Sequence, residues 1–320
     1  MNEMKVAVWG LGKHSINKII PVLSDNKNLS LYGVCSRNKT TIDDVSEEYG
    51  CKKWLCPETM LRDNELDVVY LSTPAGLHYV HGQKVISSGK HLWCEKPITT
   101  NHKETISLID QSIKAEISVC EAFMYLYHPH FIRLKEIVHS DSLGKIKNIH
   151  CVFDLPSLDN PGYRNKKELG ASSLFDLGVY PISIILSLFK RSNIEIINKE
   201  IKFEETNSYD IEGSLNLRIN KEIECLLEWA YDKAYKNEII IEGTKSSLST
   251  EYIFSKDSDY LPYFNIIEKN KTPSIIKTEK ANHFELMLNS FYLSSKDLSS
   301  SQLQKDFILD RSLFLNQILK

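Results

Sequence analysis

The sequence predicts an α/β protein in two parts: a doubly wound parallel sheet, followed by an α+β domain with an open, mostly antiparallel sheet. Two patterns support this prediction. Strand-like and helix-like segments alternate over the first 120 residues, whereas strand signals follow one another without helices between residues 194 and 254. A length of 320 residues also suits two domains. We place the boundary at residue 122, which gives domains of residues 1–122 and 123–320.

In the first part, apolar runs typical of strands alternate with segments of helical periodicity. The predicted strands are residues 6–9, 29–35, 68–72, 91–94 and 117–120, and the predicted helices are 16–23, 41–49, 78–88 and 102–115. Short connections between such elements favour right-handed crossovers, and therefore parallel strands.

The pattern changes after residue 122. A helix at 131–138, a strand at 146–153 and an apolar stretch at 174–189 are followed by predicted strands at 194–203, 211–219, 223–230, 238–242 and 248–254, and by helices at 282–293 and 302–319. Consecutive strands without intervening helices indicate an antiparallel sheet. We expect the ligand to lie in the crevice between the two domains.

Composition and charge narrow the class of function. The chain has 39 Lys and Arg residues against 42 Asp and Glu, a net charge of −3, with no long block of either sign. Binding of nucleic acid or of an anionic membrane surface is therefore not expected. No run of 18 apolar residues occurs, and the N-terminus lacks the apolar core of a signal peptide, so we expect a cytoplasmic protein without a membrane partner.

The cysteines and histidines do not suggest a metal centre. Seven cysteines are scattered without a C-x-x-C motif, and the sole cluster to consider is His128-Pro129-His130 with Cys120. Histidines that flank a proline are typical of a helix start. We therefore predict reduced thiols and no metal.

Gly10-Leu11-Gly12 follows the first predicted strand and opens the first helix, which is the context required of a dinucleotide-binding turn. Glycines at these positions permit a tight turn and a close approach of the backbone to a pyrophosphate, which the helix N-terminus then stabilises. Ser15 replaces the third glycine of the pattern, so a plain β–α turn is the alternative. Lys13 and His14 of the same turn are further candidates for contact with the cofactor.

The second predicted strand ends in Ser36 and Arg37, where folds that bind NAD usually carry an acidic residue for the ribose hydroxyl. A guanidinium can pair with a 2′-phosphate, which a carboxylate would repel. The sequence therefore predicts a preference for NADP(H) over NAD(H), unless Arg37 is only an exposed loop residue.

Two further strands end in side chains that can do chemistry. Thr73-Pro74 with His78 follows one, and Glu95-Lys96-Pro97 follows the next. The carboxyl ends of parallel strands face the ligand crevice. Because a proline disfavours the helical conformation in the residue before it, Lys96 has a restricted backbone as well as a long reach. A surface loop is the alternative interpretation of Glu-Lys-Pro.

Asp176 and Tyr180 lie four residues apart in the apolar stretch of the second part. On a helix they would share a buried face, and a buried Asp and Tyr need hydrogen-bond partners. Gly178 and Pro181 predict a kink or a helix start here. A polar pair satisfied inside the core is the alternative to a catalytic role.

In order and spacing, these features resemble the Gfo/Idh/MocA family of glucose–fructose oxidoreductase and inositol dehydrogenase. The resemblance rests on Thr73-Pro74 with His78, on Glu95-Lys96-Pro97, and on Asp176-x-Gly178-x-Tyr180. It extends to Gly89-Lys90-His91, to the Ile-Ile-Glu-Gly-Thr run at 240–244 and to Asn282-His283-Phe284, and so covers the whole chain.

Local similarity is strongest to the sugar-nucleotide 3-ketoreductase branch of that family. It is carried by Glu-Ala-Phe-Met-Tyr at 121–125, His128-Pro129, Tyr163-Arg164 and Leu169-Gly170-Ala171. The ketoreductases usually have a run of glycines where this chain has Gly170-Ala171-Ser172-Ser173. This departure leaves the identity of the substrate open.

The resemblance implies an N-terminal NADP-binding Rossmann domain and a C-terminal domain that binds a small carbohydrate and whose sheet often mediates dimers. We therefore expect a homodimer or homotetramer. The resemblance places Lys96 beside nicotinamide and substrate, Asp176 in a position that orients the substrate, and Tyr180 where many members carry histidine. The implied cofactor-binding residues are Gly10, Gly12, Lys13, His14, Ser36, Arg37, Thr73, Pro74, His78, Glu95, Lys96 and Pro97.

The residues suggest a mechanism for reduction of a sugar carbonyl. Hydride transfer leaves negative charge on the carbonyl oxygen, so a proton donor must meet it there. We assign Tyr180 as the general acid and Lys96 as its electrostatic partner, with the reverse assignment open. Asp176 would hold a sugar hydroxyl or the lysine. Arg164 would clamp an anionic group of the substrate, unless it is a plain surface arginine.

Two other functions fit the same motifs. The first is a dehydrogenase of a free sugar, a polyol or a trans-dihydrodiol. The second is a non-catalytic regulator that binds NADP, against which the presence of both Lys96 and Tyr180 argues. Tyr180 and Arg37 also fit poorly with the NAD-dependent glycosidases of the family.

Overall fold

The computed structural model describes residues 3–157, 161–190, 192–206, 209–268 and 270–320. The chain forms two compact units. The first comprises the chain up to Phe123 together with Phe284–Asn316, and the second comprises Met124–His283 with Gln317–Lys320. This division differs from a single cut after residue 122, because the C-terminal helices contribute Ile308 to the core of the first unit.

The first unit contains a parallel sheet, as predicted. Its strands are β1 (Met4–Trp9), β2 (Leu29–Cys35), β3 (Lys52–Trp54), β4 (Val68–Leu71), β5 (His91–Glu95) and β6 (Val119–Ala122). They lie in the order β3-β2-β1-β4-β5-β6. The direction of the crossovers changes between β1 and β4, which is where an open sheet of this type binds its ligand. Strand β3 was not predicted, because it is three residues long and mostly exposed.

The second unit contains an eight-stranded, mostly antiparallel sheet. Its strands are β7 (Ile146–Asp154), β8 (Ile194–Phe203), β9 (Asp210–Ile219), β10 (Ile223–Ala230), β11 (Lys236–Gly243), β12 (Ser246–Glu251), β13 (Tyr263–Glu268) and β14 (Ser274–Lys277). Their order is β14-β13-β12-β11-β7-β10-β9-β8. Strands β7 and β10 are parallel, and the other pairs are antiparallel. The predicted fold class is thus confirmed for both sheets, although β13 and β14 were not predicted.

Helices flank the sheets close to the predicted positions. They are α1 (Ile20–Ser24), α2 (Lys39–Tyr49), α3 (Pro57–Leu61), α4 (His78–Ser87), α5 (His102–Lys114), α6 (Pro129–His139), α7 (Val179–Leu188), α8 (His283–Ser294) and α9 (Leu298–Ile318). A single π-helical turn precedes α1 at Ser15–Ile19, and another precedes α7 at Leu174–Gly178. Helix α7 therefore starts next to Gly178, as predicted.

Two predictions about the second unit can be checked locally. His128 is the N-cap of α6, because its Nδ1 accepts a hydrogen bond from the His130 N–H at 3.0 Å. The His-Pro-His cluster thus begins a helix, as predicted. Within the described part of the chain, the one helical stretch with the length and hydropathy of a membrane span is Lys167–Leu188, and 78% of its most apolar window is buried, as in a core helix.

Candidate functional site

The turn after β1 has the geometry of a nucleotide cradle. Gly10 has φ of +108°, and a Cβ placed on it would lie 2.4 Å from Ser72 O, so glycine is required by both conformation and space. No heavy atom lies within 4 Å of the Cβ position of Gly12, which leaves that backbone open to a ligand. These observations fit the pyrophosphate of a dinucleotide.

Ser15 explains how the turn does without a third glycine. Its hydroxyl is buried and lies 2.8 Å from Gly10 O and 3.0 Å from Gly12 O, so it can donate to either carbonyl. The Ser15 hydroxyl thus stabilises the turn by hydrogen bonding to main-chain carbonyls of the turn itself. Lys13 and His14 are exposed on the same turn.

Ser36 and Arg37 lie between β2 and α2, as predicted. The Ser36 N–H donates to Trp54 O at 3.2 Å, which anchors the start of the loop. The Asn38 side chain caps α2, and the first turn of that helix carries no acidic residue. The exposed Arg37 guanidinium therefore stands at the N-terminus of a helix whose first turn carries no acidic residue. This arrangement fits a 2′-phosphate.

His78 connects two loops at the ends of neighbouring strands. Its Nδ1 lies 2.7 Å from Pro97 O and its Nε2 lies 2.6 Å from Thr73 O, and the ring is 1% exposed. Burial lowers the pKa of His78, and the two carbonyl oxygens act in the opposite direction. Both ring nitrogens face main-chain oxygens, so the ring links the loop after β4 to the loop after β5.

Glu95 is a half-buried carboxylate at the end of β5. It accepts a hydrogen bond from the Tyr70 hydroxyl at 2.6 Å, and His14 Nε2 lies 3.1 Å from the same oxygen. Burial by itself would raise the pKa of Glu95, but His14, Tyr70 and Lys96 outweigh it and the pKa is lowered. Glu95 is thus ionised beside Lys96, the residue proposed to act on the substrate.

The segment after Lys96 is held by a buried ion pair that the sequence did not reveal. Glu121 Oε1 accepts from the Ile98 N–H at 2.8 Å. Its other oxygen accepts from Arg311 Nη2 at 2.5 Å and from Arg311 Nε at 2.9 Å. Both side chains are about 5% exposed. Arg311 of helix α9 therefore holds Glu121 in place, and Glu121 in turn fixes the main chain that follows Lys96.

In the second unit, Asp176 is paired with two side chains. Its Oδ2 accepts from Arg164 Nε at 2.5 Å and from the Tyr231 hydroxyl at 3.0 Å. Burial acts to lower the pKa of Arg164, but Asp176 outweighs it and the pKa is raised. Burial, and then Asp176, raise the pKa of Tyr231. Arg164 and Asp176, which were predicted to bind different groups of the substrate, are therefore parts of one connected group. Tyr231 is a third member, which the sequence did not indicate.

Residues distant in sequence hold the π-helical turn that carries Asp176 in position. Asp210 Oδ2 accepts from the Ser173 hydroxyl at 2.6 Å and from the Leu174 N–H at 2.7 Å. A Cβ on Gly178 would lie 2.8 Å from the ring of Trp229, so the glycine allows the helix to approach β10. The Asp-x-Gly-x-Tyr spacing is thus a packing requirement as well as a chemical one.

Tyr180 projects into an aromatic cluster. Its ring centroid lies 5.1 Å from that of Phe153, 5.4 Å from Phe254 and 6.1 Å from Tyr125. The hydroxyl lies 3.8 Å from Met124 Sδ, and the residue is 7% exposed. A phenol held by several rings has a fixed direction, which suits a proton donor.

The structure gathers the predicted residues in two sets. The first set follows β1, β2, β4 and β5, which are neighbours in the parallel sheet. The second set consists of Arg164, Asp176 and Tyr180 around the start of α7. Lys96 belongs to the first unit and Tyr180 to the second, so their joint action is part of the proposal below.

Two family models match the chain. Residues 4–122 match an oxidoreductase family with an NAD-binding Rossmann fold. Residues 131–249 match the GFO/IDH/MocA C-terminal domain. The chain belongs to the Gfo/Idh/MocA oxidoreductase family.

Relatives within this family have named activities. The chain is 23% identical over 265 residues to dTDP-3,4-didehydro-2,6-dideoxy-alpha-D-glucose 3-reductase of Actinomadura kijaniata, covering 83% of this chain and 80% of that protein. It is 29% identical over 182 residues to D-xylose 1-dehydrogenase (NADP(+)) 2 of Haloferax volcanii, covering 56% and 55%. The crystal structure of KijD10, a 3-ketoreductase from Actinomadura kijaniata in complex with NADP and TDP-benzene, superposes with a TM-score of 0.94 at 21% identity, covering 99% of this chain and 97% of that one. At that identity, the structural likeness shows a shared fold.

Proposed function

We propose that this protein is an NADP(H)-dependent oxidoreductase that transfers a hydride between nicotinamide and a carbonyl or hydroxyl carbon of a sugar, and that the sugar is a nucleotide-linked keto-sugar. The proposal rests chiefly on the sequence match to a dTDP-keto-sugar 3-reductase, which covers 83% of this chain at 23% identity. The Gly10 cradle, the exposed Arg37 and the polar group around Asp176 support it.

The two sets of residues have separate tasks in this proposal. Bound NADPH supplies the hydride that reduces the carbonyl carbon. Tyr180 donates a proton to the carbonyl oxygen, and the Lys96 ammonium stabilises the charge that grows there. The reverse assignment, with Lys96 as donor, stays open.

Asp176 and Arg164 act as one unit in substrate binding. Because Asp176 accepts from Arg164 Nε, the guanidinium is held in one orientation while its terminal nitrogens can address an anion. We assign Arg164 to a diphosphate or carboxylate of the substrate, and Asp176 to a sugar hydroxyl and to the alignment of Arg164. The substrate that this describes is an anionic carbohydrate.

The test compares nucleotide-linked with free sugars. Oxidation of NADPH with a dTDP-linked 3-keto-sugar should be faster, by at least about tenfold in kcat/KM, than with free keto-sugars, because an anchoring ion pair is gained. A thermal shift with dTDP in the presence of NADP should show stabilisation, which reaches about 2.7 kcal/mol at 100 times the Kd. Equal turnover of free and linked sugars, without a shift by dTDP, would instead identify a dehydrogenase of free sugars.

That second function has one observation in its favour. The D-xylose dehydrogenase has 29% identity to this chain over 182 residues, whereas the dTDP-keto-sugar reductase has 23% over 265 residues. Oxidation of D-xylose with NADP+ at a rate above that of dTDP-sugars would establish it.

We further propose that the protein acts in the cytoplasm as a homodimer or homotetramer formed through the eight-stranded sheet. Ile267 of β13 and Ile275 of β14 lie on one face of this sheet and are 52% and 61% exposed. Covering exposed apolar side chains favours association. Sedimentation velocity with an Ile267→Glu, Ile275→Glu double variant checks this proposal, because the variant should be monomeric. A monomeric wild-type protein would contradict it.

A further inference from the structure

A histidine that the sequence analysis did not select lies between the loops of the nucleotide cradle. His81 is in the first turn of α4, and its ring stacks on Trp9 with centroids 4.3 Å apart and planes at 23°. Its Nδ1 lies 3.0 Å from the Thr73 hydroxyl. The ring is therefore held on both sides: Trp9 fixes its plane and Thr73 fixes its rotation.

The register of the sheet brings this ring close to Arg37. Trp9, the last residue of β1, pairs with Cys35 of β2 on one side and with Leu71 of β4 on the other. Arg37 is two residues beyond Cys35, and Thr73 is two residues beyond Leu71. Adjacent strands are only about 4.8 Å apart. The His81 ring, which stacks on Trp9, therefore lies between the two loops that would enclose the adenosine end of a dinucleotide.

The charges around His81 suit an anion. Burial, and then the basic side chains Lys84, His78 and Arg37, lower the pKa of His81 to about 4, and Glu58 acts in the opposite direction. Lys84 is paired with Glu58 at 2.8 Å. His81 is thus neutral at pH 7 in a surrounding of net positive charge, although it has no carboxylate partner of its own among the described hydrogen bonds.

We propose that His81 is a second ligand of the 2′-phosphate of NADP(H), alongside Arg37, and that its ring takes up a proton as the phosphate binds. This inference rests on the proposed function. When Thr73 donates to Nδ1, the proton of the neutral ring is on Nε2, which then donates to the phosphate. A dianion beside the ring offsets the cations that keep it neutral, and the imidazolium forms with a proton from solvent.

The alternative is that His81 supports the adenine ring, which NAD and NADP share. The two roles differ in a measurable way, because a phosphate ligand affects NADP alone. They also differ in proton balance. The 2′-phosphate has a second pKa near 6, so a site with positive charge alone would release any remaining phosphate proton to solvent. Protonation of His81 instead takes up a proton from solvent.

The experiment is isothermal titration calorimetry of NADP+ and NAD+ at pH 7, in two buffers of different ionisation enthalpy. A partner of opposite charge raises a pKa by about 1–3 units, so the pKa of His81 should rise from about 4 toward about 5–7, and wild-type protein should take up a fraction of a proton, at most about half, per NADP+ bound. It should take up none with NAD+. His81→Leu should weaken NADP+ by at least about tenfold, the loss typical of a hydrogen bond to a charged group, while NAD+ changes little.

Two further variants complete the design. His81→Gln keeps a neutral donor near the position of Nε2, so it should retain part of the NADP+ affinity and lose the proton uptake. His139→Gln, at an exposed histidine of α6, should leave affinity and proton uptake unchanged. The inference is overturned if His81→Leu weakens both nucleotides equally, if the NADP+/NAD+ ratio is unchanged, or if wild-type protein takes up no proton. Failure of wild-type protein to bind either nucleotide would instead contradict the proposed function.

Discussion

The two candidate regions hold their functional residues by different means. Around Lys96 the partners contact the main chain: His78 faces Pro97 O, and Glu121 accepts from the Ile98 N–H. Around Asp176 the partners contact the side chain itself, through Arg164 and Tyr231. A substitution in the first region should therefore displace the backbone that carries the lysine. A substitution in the second should change charge and affinity while the helix stays in place.

The largest expected effect comes from the buried pair in the first region. Glu121→Gln leaves the Arg311 charge without a carboxylate, and removing one partner of such a pair costs about 3–5 kcal/mol. Urea denaturation measures this loss, and kcat should fall as well because the Ile98 anchor is weakened. Glu136→Gln is the matched control: it breaks the exposed Arg133–Glu136 pair and should cost less than about 1 kcal/mol. Similar losses in both variants would contradict the view that burial makes the Glu121 pair important.

The next effect tests the residues that the two regions contribute to chemistry. Lys96→Ala and Tyr180→Phe should each lower kcat by at least about 10², equivalent to about 2.7 kcal/mol, because each removes a group that meets the developing charge. The Kd of NADPH, measured by fluorescence titration, should change little. Wild-type turnover in both variants would exclude the proposed mechanism.

A pH effect belongs to the second unit. Burial, and then Lys256, lower the pKa of His128 to about 4 and that of His130 to about 2. The unfolded chain, with histidines near 6.5, takes up protons first as the pH falls. The free energy of unfolding should therefore decrease from pH 6.5 toward pH 4, by about 1.4 kcal/mol per pH unit for each ring.

Urea titrations at pH 6.5, 5.5 and 4.5 measure this slope. His130→Gln should reduce it and, at pH 6.5, leave stability nearly unchanged, because the amide can still donate to the Thr250 hydroxyl that His130 contacts at 2.9 Å. His139→Gln, at an exposed site, should keep the full slope. An unaltered slope in His130→Gln would show that other groups control the acid response.

The smallest effect sharpens the contrast between the regions. Tyr231→Phe removes one hydrogen bond to Asp176 but leaves the Arg164 pair, so it should cost about 1 kcal/mol in substrate affinity, a several-fold rise in KM, at unchanged kcat. Tyr252→Phe, at a tyrosine 38% exposed, is the control and should have wild-type kinetics. A fall in kcat with constant KM would indicate that Tyr231 acts on the reacting atoms.

The same contrast explains how far sequence reasoning could reach. Gly10, Arg37, Thr73 and Lys96 were predictable because each follows a strand within a few residues, and strand ends can be read from local periodicity. The partners of those residues were not predictable in this way. Glu121 and Arg311 are 190 positions apart, and Tyr231 and Asp176 are 55 apart. Only the folded chain brings such pairs together.

The second sheet illustrates the same limit for topology. Most of its strands were predicted from strand-like apolar patterns in the sequence, but their order in the sheet was not. β7 lies between β10 and β11, and its parallel pairing with β10 joins strands separated by two others in sequence. Strand β14 was missed because its side chains are mostly exposed, which removes the apolar pattern. Pairing of this kind depends on non-local packing, which no short window of sequence contains.

The return of α9 to the first unit also bears on how the protein is made. Ile308 completes the core beneath the six-stranded sheet, and Arg311 neutralises Glu121 within it. During translation, the core of the first unit therefore stays incomplete until helix α9 has been synthesised, whereas the second unit is nearly continuous from residue 124 to 283. The first unit thus depends on a segment that is synthesised after almost all of the second unit.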